Sequence, residues 1–459
     1  MHPRRSACAR QRSALRRGLR ATDAYTFFDW LTDDATLHAV ESELPVHRER
    51  LLPPTETLSI FLAQTLSADR SCQQAVNAFV ARRVAGGLSP CSTATGAYVR
   101  ARQRLPESMV SSLVRFTGRA LTTSAPAAWQ GRPVRLVDGT TVPMPDTPAN
   151  QATYPQPRTQ RPGLGFPLCR LLALLCLSSG AVIDAAICPY HGKGNDEQTL
   201  LRTLLDHLHE GDVLLGDALF ATYFLLAELQ RRGVDGVFEQ YGARRRSTDF
   251  RRGHRLGTRD HLIEIRKPPQ RPGWMTPEQF AQTPDTLTVR ELRAGGKTLV
   301  TTLLCPQQVP KAEVKALYQQ RWHAELDLRC LKTTLGMETL SCKTPAMAIK
   351  EIWVSLLAYN FVRRLMLHAA QAACTQPRQL SFKHTVQLWL AWHHRNLCFG
   401  ADAAATLLGL IAQRRVGRRP GRIEPRAIKR RPKPYPLLMQ PRAAAREAVR
   451  VHGHSARVK

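Results

Sequence analysis

The chain has 459 residues, 43% of them apolar, and carries a formal net charge of +30. That length and apolar content suit a globular protein of two or three structural units and exclude a wholly disordered chain. So large a positive charge opposes compaction unless a polyanion offsets it, which makes nucleic acid the expected partner; an anionic membrane surface is the weaker alternative, because no basic amphipathic helix stands alone.

The first 22 residues hold seven arginines and no acid, but no continuous apolar core follows them as a secretory signal requires. From there to residue 125 the pattern is helical. TETLSIFLAQTLSADRSCQQAVNAFVARR repeats its apolar residues at helical spacing after Pro53-Pro54. TGAYVRARQRLPESMVSSLVRFTGRAL follows, with Arg100, Arg102 and Arg104 clustered. A basic helical unit of this kind, residues 1–125, reads as a DNA-binding domain or as a helical cap with a solvated face.

Residues 126–241 change texture. RPVRLVDGTTVPM is β-branched and reaches Asp138-Gly139, a strand running into a turn. GFPLCRLLALLCL and AVIDAAICPY are strands joined through SSG, and the most apolar stretch among them is too short to cross a bilayer. NDEQTLLRTLLDHLHEG is a helix with Asn195 and Asp196 as capping candidates and Gly211 as its stop. DVLLGD is a strand, ALFATYFLLAELQRRG a helix and DGVFEQY a strand, so this region forms an α/β core. Residues 242–309 open with the basic loop RRRSTDFRRGHR and continue as three strands between Pro- and Gly-rich turns, a β-rich insertion.

Helices return over 310–395. Residues 396–459 form a basic C-terminal region, in which 414–459 hold fifteen Lys/Arg against two Glu. Four prolines between 420 and 434 predict an extended tail there, suited to lie along phosphates. The eleven cysteines contain no C-x-x-C pair, which fits reduced thiols in a cytoplasm and argues against a disulfide framework or a structural zinc site.

Within the returning helices, YQQRWHAELDLRCLK (318–332) puts Tyr318, Arg321, Glu325 and Lys332 within roughly 60° of one another on a helical wheel. Leu317, Leu328 and Leu331 fall on the other side. The stripe reads as a solvated face with i,i+4 charge pairs or as part of a site. Phosphodiester chemistry without a protein nucleophile needs divalent metal, and magnesium prefers carboxylate oxygens supplied by strand ends and a neighbouring helix. Asp138 and Asp217 end the first and fourth strands, and Glu325 lies in the polar stripe. Taken singly, Asp138 is equally a turn former and Asp217 equally a helix cap. Asp146, Asp184 and Asp212 are weaker candidates.

At these residues the sequence resembles the DDE transposases of the insertion-sequence-four family. Their signature of Tyr, two residues, Arg, three residues, Glu, six residues and Lys is met by Tyr318, Arg321, Glu325 and Lys332. Asp138 in LVDGTT and Asp217 in VLLGDALFATY match the contexts of the first and second acids, and the resemblance extends over roughly residues 55–440. It implies a ribonuclease-H-like catalytic core in which Asp138, Asp217 and Glu325 hold two Mg²⁺, with Mn²⁺ able to substitute. Tyr318, Arg321 and Lys332 would then contact the DNA backbone. It further implies cleavage at terminal inverted repeats, strand transfer into target DNA, a homodimer in the synaptic complex, and a bacterial cytoplasmic, nucleoid-associated location. The insertion in related enzymes can present an aromatic residue to a flipped base, for which Trp274 is a candidate beside the plainer reading of local packing. The alternatives are a catalytically inactive DNA-binding protein derived from a transposase and a ribonuclease-H-like nuclease.

Overall fold

The computed structural model describes residues 51–85, 87–240, 248–394, 401–417 and 439–453. The arginine-rich start, part of the basic loop beyond residue 240 and most of the proline-containing tail lie outside these residues. The helices that come first are α1 (Pro54–Leu66), α2 (Cys72–Ala85), α3 (Gly96–Arg104) and α4 (Glu107–Ser124). Of the clustered Arg100, Arg102 and Arg104, Arg102 is buried. Its guanidinium lies over the Phe61 and Tyr98 rings and reaches Gln64, so it joins α3 to α1 and leaves Arg100 and Arg104 at the surface. Helix α4 packs on strand β3 and on a long helix near the C-terminus.

The strands then come in the expected order, with helices where the apolar spacing lengthens. They are β1 (Val134–Pro143), β2 (Leu168–Cys176), β3 (Val182–Pro189), β4 (Val213–Gly216) and β5 (Asp235–Glu239). Short helix α5 (Pro148–Thr153) follows β1, α6 (Glu197–Leu204) precedes β4, and α7 (Tyr223–Arg231) precedes β5. Asp196 is the N-cap of α6, its side chain accepting from the Thr199 N–H. Beyond β5 come β6 (His254–Gly257), β7 (Asp260–Arg266), α8 (Pro277–Gln282), β8 (Thr286–Ala294) and β9 (Lys297–Thr301). These later strands do not stand apart: β9 pairs antiparallel with β5, and all described strands form one sheet of order β3-β2-β1-β4-β5-β9-β8-β7-β6.

The central strands are buried on both faces, which is why β2 reads as a continuous apolar run. Leu171, Ala173 and Leu175 point into a core shared with α1, α4 and the C-terminal helices. Leu172, Leu174 and Cys176 alternate to the other face and pack under α6 and α7. A fully buried leucine contributes about 1.5–3 kcal/mol, so this double burial anchors the sheet on which the site is built.

The C-terminal half adds α9 (Lys311–Gln319), α10 (Trp322–Arg329), α11 (Pro345–Ala372), α12 (Phe382–His394), α13 (Ala401–Gln413) and α14 (Arg442–His452). Helix α14 shows that the basic tail does not stay extended to its end. Among the described residues no helix is long and apolar enough to cross a membrane.

Two local expectations are corrected. The first strand does not turn at Asp138-Gly139 but runs on to Pro143, because β2 pairs with it from Arg135 to Pro143. Its pairing with β4 stops much earlier, at Leu136–Leu215. The signature segment is not one regular helix either. Helix α9 stops at Gln319, tighter i to i+3 bonds from the Gln320 and Arg321 N–H groups cross the junction, and a π-turn over Cys330–Thr334 follows α10. Leu317, Leu328 and Leu331 are nevertheless buried, as the apolar side of the wheel requires.

Candidate active site

Strands β1 and β4 run parallel, and the register pairs Leu136 with Leu215. Asp138 and Asp217 each lie two residues further on, so the two carboxylates leave neighbouring strands at the same level. Asp138 lies just past the last β1–β4 pair, where the strand keeps only its β2 neighbour. Its Oδ1 accepts from the Gly139 N–H at 2.9 Å. Asp217 caps the short 3-10 turn Ala218–Phe220, accepting from the Leu219 N–H at 2.8 Å. The capping role weighed for Asp217 is therefore real, and it holds the side chain at the strand end.

Along β1 the even-numbered residues Leu136 and Val142 face the core shared with α10 and α11, and Asp138 has the same parity. Helix α10 covers that face through Ala324 and Leu328. Arg321 at its N-cap donates to Glu325 Oε1 at 2.7 Å and stands 3.9 Å from Asp138 Oδ2. One guanidinium thus lies between an acid from the sheet and an acid from the helix. Burial pushes the Asp138 carboxyl up to about 6; Arg321 and the Gly139 N–H pull the other way, and the charges of Asp217 and Glu325 add to the rise. The three carboxylates therefore lie in one electrostatic field.

Among the described residues no group of three His, Cys, Asp or Glu side chains is drawn together tightly enough to hold a metal ion as it stands. The donor chemistry suits magnesium nonetheless: every group is a carboxylate oxygen, and the three charges exceed what Arg321 offsets. Asp138 and Glu325 are kept from closing on a common point by the guanidinium between them.

Lys332 comes out of the π-turn and donates to Thr140 Oγ1 at 3.3 Å and to the Thr141 carbonyl at 3.2 Å. It sits on the part of β1 that β4 leaves unpaired. Tyr318 borders the site from below, within the electrostatic reach of Arg321, Glu239 and Asp217. It is 7% exposed, packed in the core before the α9–α10 junction with Lys297 over its ring, and burial pushes its phenol up to about 12. Trp274 is half exposed, meets Phe224 edge-on and stacks under the Arg202 guanidinium 4.1 Å from its centroid. Asp146, Asp184 and Asp212 pair respectively with Arg442, with Arg115 and His207, and with Arg135.

Two further acids border the site. Gly139 is not a turn residue: a Cβ there would come within 2.4 Å of Glu197 Cδ, so glycine leaves the space that the α6 carboxylate fills on the opposite face of β1. Glu197 in turn lies 3.5 Å from Arg170. Glu239 follows Phe238, the partner of Gly216, and so stands in register beside Asp217, bound by Lys297 at 2.7 Å. The sequence signals for these two were the glycine after Asp138 and the end of a third parallel strand.

Acids at the ends of parallel strands thus face a helix that brings glutamate and arginine and a π-turn that brings lysine. Residues 129–361 match the family described as Transposase DDE domain, and the chain belongs to that family, in its insertion-sequence-four branch. It is similar to the transposase InsG of insertion sequence element IS4 from Escherichia coli K12, with 28% identity over 302 residues. That match covers 64% of this chain and 66% of InsG. InsZ of the same organism is 29% identical over 145 residues, which cover 31% of this chain and 48% of InsZ. The chain thus spans just under two thirds of the first relative and about half of the second. Among solved structures, the piggyBac transposase synaptic complex with hairpin DNA aligns at a TM-score of 0.41 and 10% identity, covering 86% of this chain and 85% of that one.

Proposed function

We propose that the protein is the transposase of an insertion sequence, which binds terminal inverted repeats, cuts the DNA at the element's ends and joins the freed 3′-hydroxyl to target DNA. The observation that supports this reading is that Arg321 lies between Asp138 and Glu325, with Asp217 level with Asp138 on the neighbouring strand, in a chain of the DDE family. The sheet around these acids serves as a ribonuclease-H-like core, and two copies of the chain act together to hold two ends.

Asp138, Asp217 and Glu325 would hold two Mg²⁺, or Mn²⁺ in their place. Bound there, the ions would activate the attacking hydroxyl and stabilise the leaving oxygen. Glu325 would give up its bond to Arg321 in that role, and the freed guanidinium would be able to clamp a phosphate through its forked donors. Lys332 supplies a point charge beside β1. Tyr318, whose phenol lies beside Arg321 and Asp217, would contact the DNA backbone from the edge of the core. The net charge of +30 draws the phosphate backbone to the protein.

The test uses DNA ends carrying the inverted repeats that flank the reading frame, with Mg²⁺. Glu325→Gln is expected to bind these ends as the wild type does and to cleave them roughly 10³-fold more slowly, as loss of several kcal/mol of transition-state stabilisation requires. Cleavage at the wild-type rate would end the assignment. Binding should also weaken steeply with salt, by about 0.9 in log–log slope for each phosphate neutralised.

A further inference from the structure

We propose that Asp327 is a positioning residue, a buried carboxylate whose two arginine partners lock the back of α10 so that Glu325 is presented at its front. The inference rests on the role given to Glu325 above.

Two residues on a helix are separated by about 200°, so Glu325 and Asp327 project from nearly opposite sides of α10. The front is open, with the Glu325 side chain 36% exposed. The back is sealed, with Asp327 1% exposed. Asp327 Oδ1 accepts from Arg363 Nη2 and, at 3.2 Å, from Arg378 Nη1; Oδ2 accepts from Arg378 Nη2 at 2.8 Å. Both arginines also reach the turn between β2 and β3. Arg378 donates to the Leu177 carbonyl and, at 3.1 Å, to the Cys176 carbonyl. Arg363 Nε donates to the Tyr359 hydroxyl at 2.8 Å, which donates onward to the Gly180 carbonyl at 2.9 Å.

The contacts therefore run from α10 to the β2–β3 turn. From there β2 pairs with β1 residue by residue, including Ala173 with Asp138. This path ties the acid on the helix to the first acid on the sheet, which lie far apart in sequence. Two guanidinium groups on one carboxylate leave an excess positive charge behind α10. Simple filling of this space would be served as well by apolar side chains, whereas forked arginines fix direction as well as distance.

The experiment measures Mn²⁺ binding to the full-length protein by calorimetry, which needs no turnover, with helix content followed by circular dichroism. Asp327→Asn should weaken Mn²⁺ binding about tenfold, the usual effect of losing a group that orients a metal ligand. Arg378→Lys, which keeps the charge and loses the fork, should give a smaller weakening in a protein that stays folded. Asp184→Asn removes another buried, ion-paired acid on a path that does not include α10, and should leave Mn²⁺ binding within about twofold while lowering the melting temperature. Folded Asp327→Asn or Arg378→Lys with wild-type Mn²⁺ affinity overturns the positioning role, provided Glu325→Gln binds weakly. If Glu325→Gln binds like the wild type, or the wild type binds no Mn²⁺, the functional reading itself fails.

Discussion

Arg290 and Arg321 each face carboxylates on the same sheet, in opposite circumstances. Arg290, on β8, is wholly buried; its Nε and Nη2 meet both oxygens of Asp260 at 2.8 and 2.6 Å, and its Nη1 meets the Val309 carbonyl at 2.7 Å. One charge meets one charge, and each main donor has a partner. Arg321 stands between two acids, makes one short bond to Glu325 and is held at 3.9 Å from Asp138, with Asp217 acting on Asp138 from the next strand. The first pair has reached a closed arrangement; the second keeps surplus negative charge beside an open surface. The proposed role of accepting a cation and a phosphate would need the second kind, at the cost of the stability available from the first.

That contrast can be broken by measurement. Arg290→Ala strands a buried carboxylate and is expected to destabilise the fold by about 3–5 kcal/mol in urea unfolding. Gly180→Ala comes next. Gly180 has φ +75°, and a Cβ there would lie 2.7 Å from Arg363 Cζ, so strain and overpacking together should cost about 2–4 kcal/mol.

Asp184→Asn should cost about 1.5 kcal/mol at neutral pH. Burial alone would raise the Asp184 carboxyl, but the His207 hydrogen bond and Arg115 outweigh it and hold it below its ordinary 3.8. A lowered native value means the contribution is complete above 3.8 and disappears as pH falls through the native value. The gap between variant and wild type should therefore close in acid. Glu325→Gln should change stability least, by about 0.5 kcal/mol in either direction, since it loses one bond to Arg321 and relieves crowding with Asp138. If it proved as destabilising as Arg290→Ala, the two clusters would not differ as described.

The strand order from β1 to β5 was legible because each strand is a short apolar run between turn residues, and each helix lengthens the repeat. Asp138 and Asp217 could be read as strand-end acids for the same reason, but that their strands are parallel neighbours with ends at one level is visible only in the sheet. What could not be read depends on partners remote in sequence. The extension of β1 past Gly139 exists because β2 lies alongside it, and the role of that glycine becomes visible only once Glu197 rests against it. The wheel placed Arg321 and Glu325 correctly on one side, but it assumed a regular helix. The tight turn at 320–321 leaves Tyr318 in the core, and the π-turn carries Lys332 to β1. Arg102 could not be read as buried because local sequence does not reveal two aromatic rings waiting for it.

The long excursion through β6 to β9 begins and ends beside β5. Thr302 donates its N–H to the Gly236 carbonyl at 3.2 Å and accepts the Gly236 N–H through its hydroxyl at 3.0 Å. A detour that returns to its own doorway can lengthen, shorten or change its contents without displacing the helix that follows. Evolution could therefore refit this segment while the residues on either side of it stayed where they were.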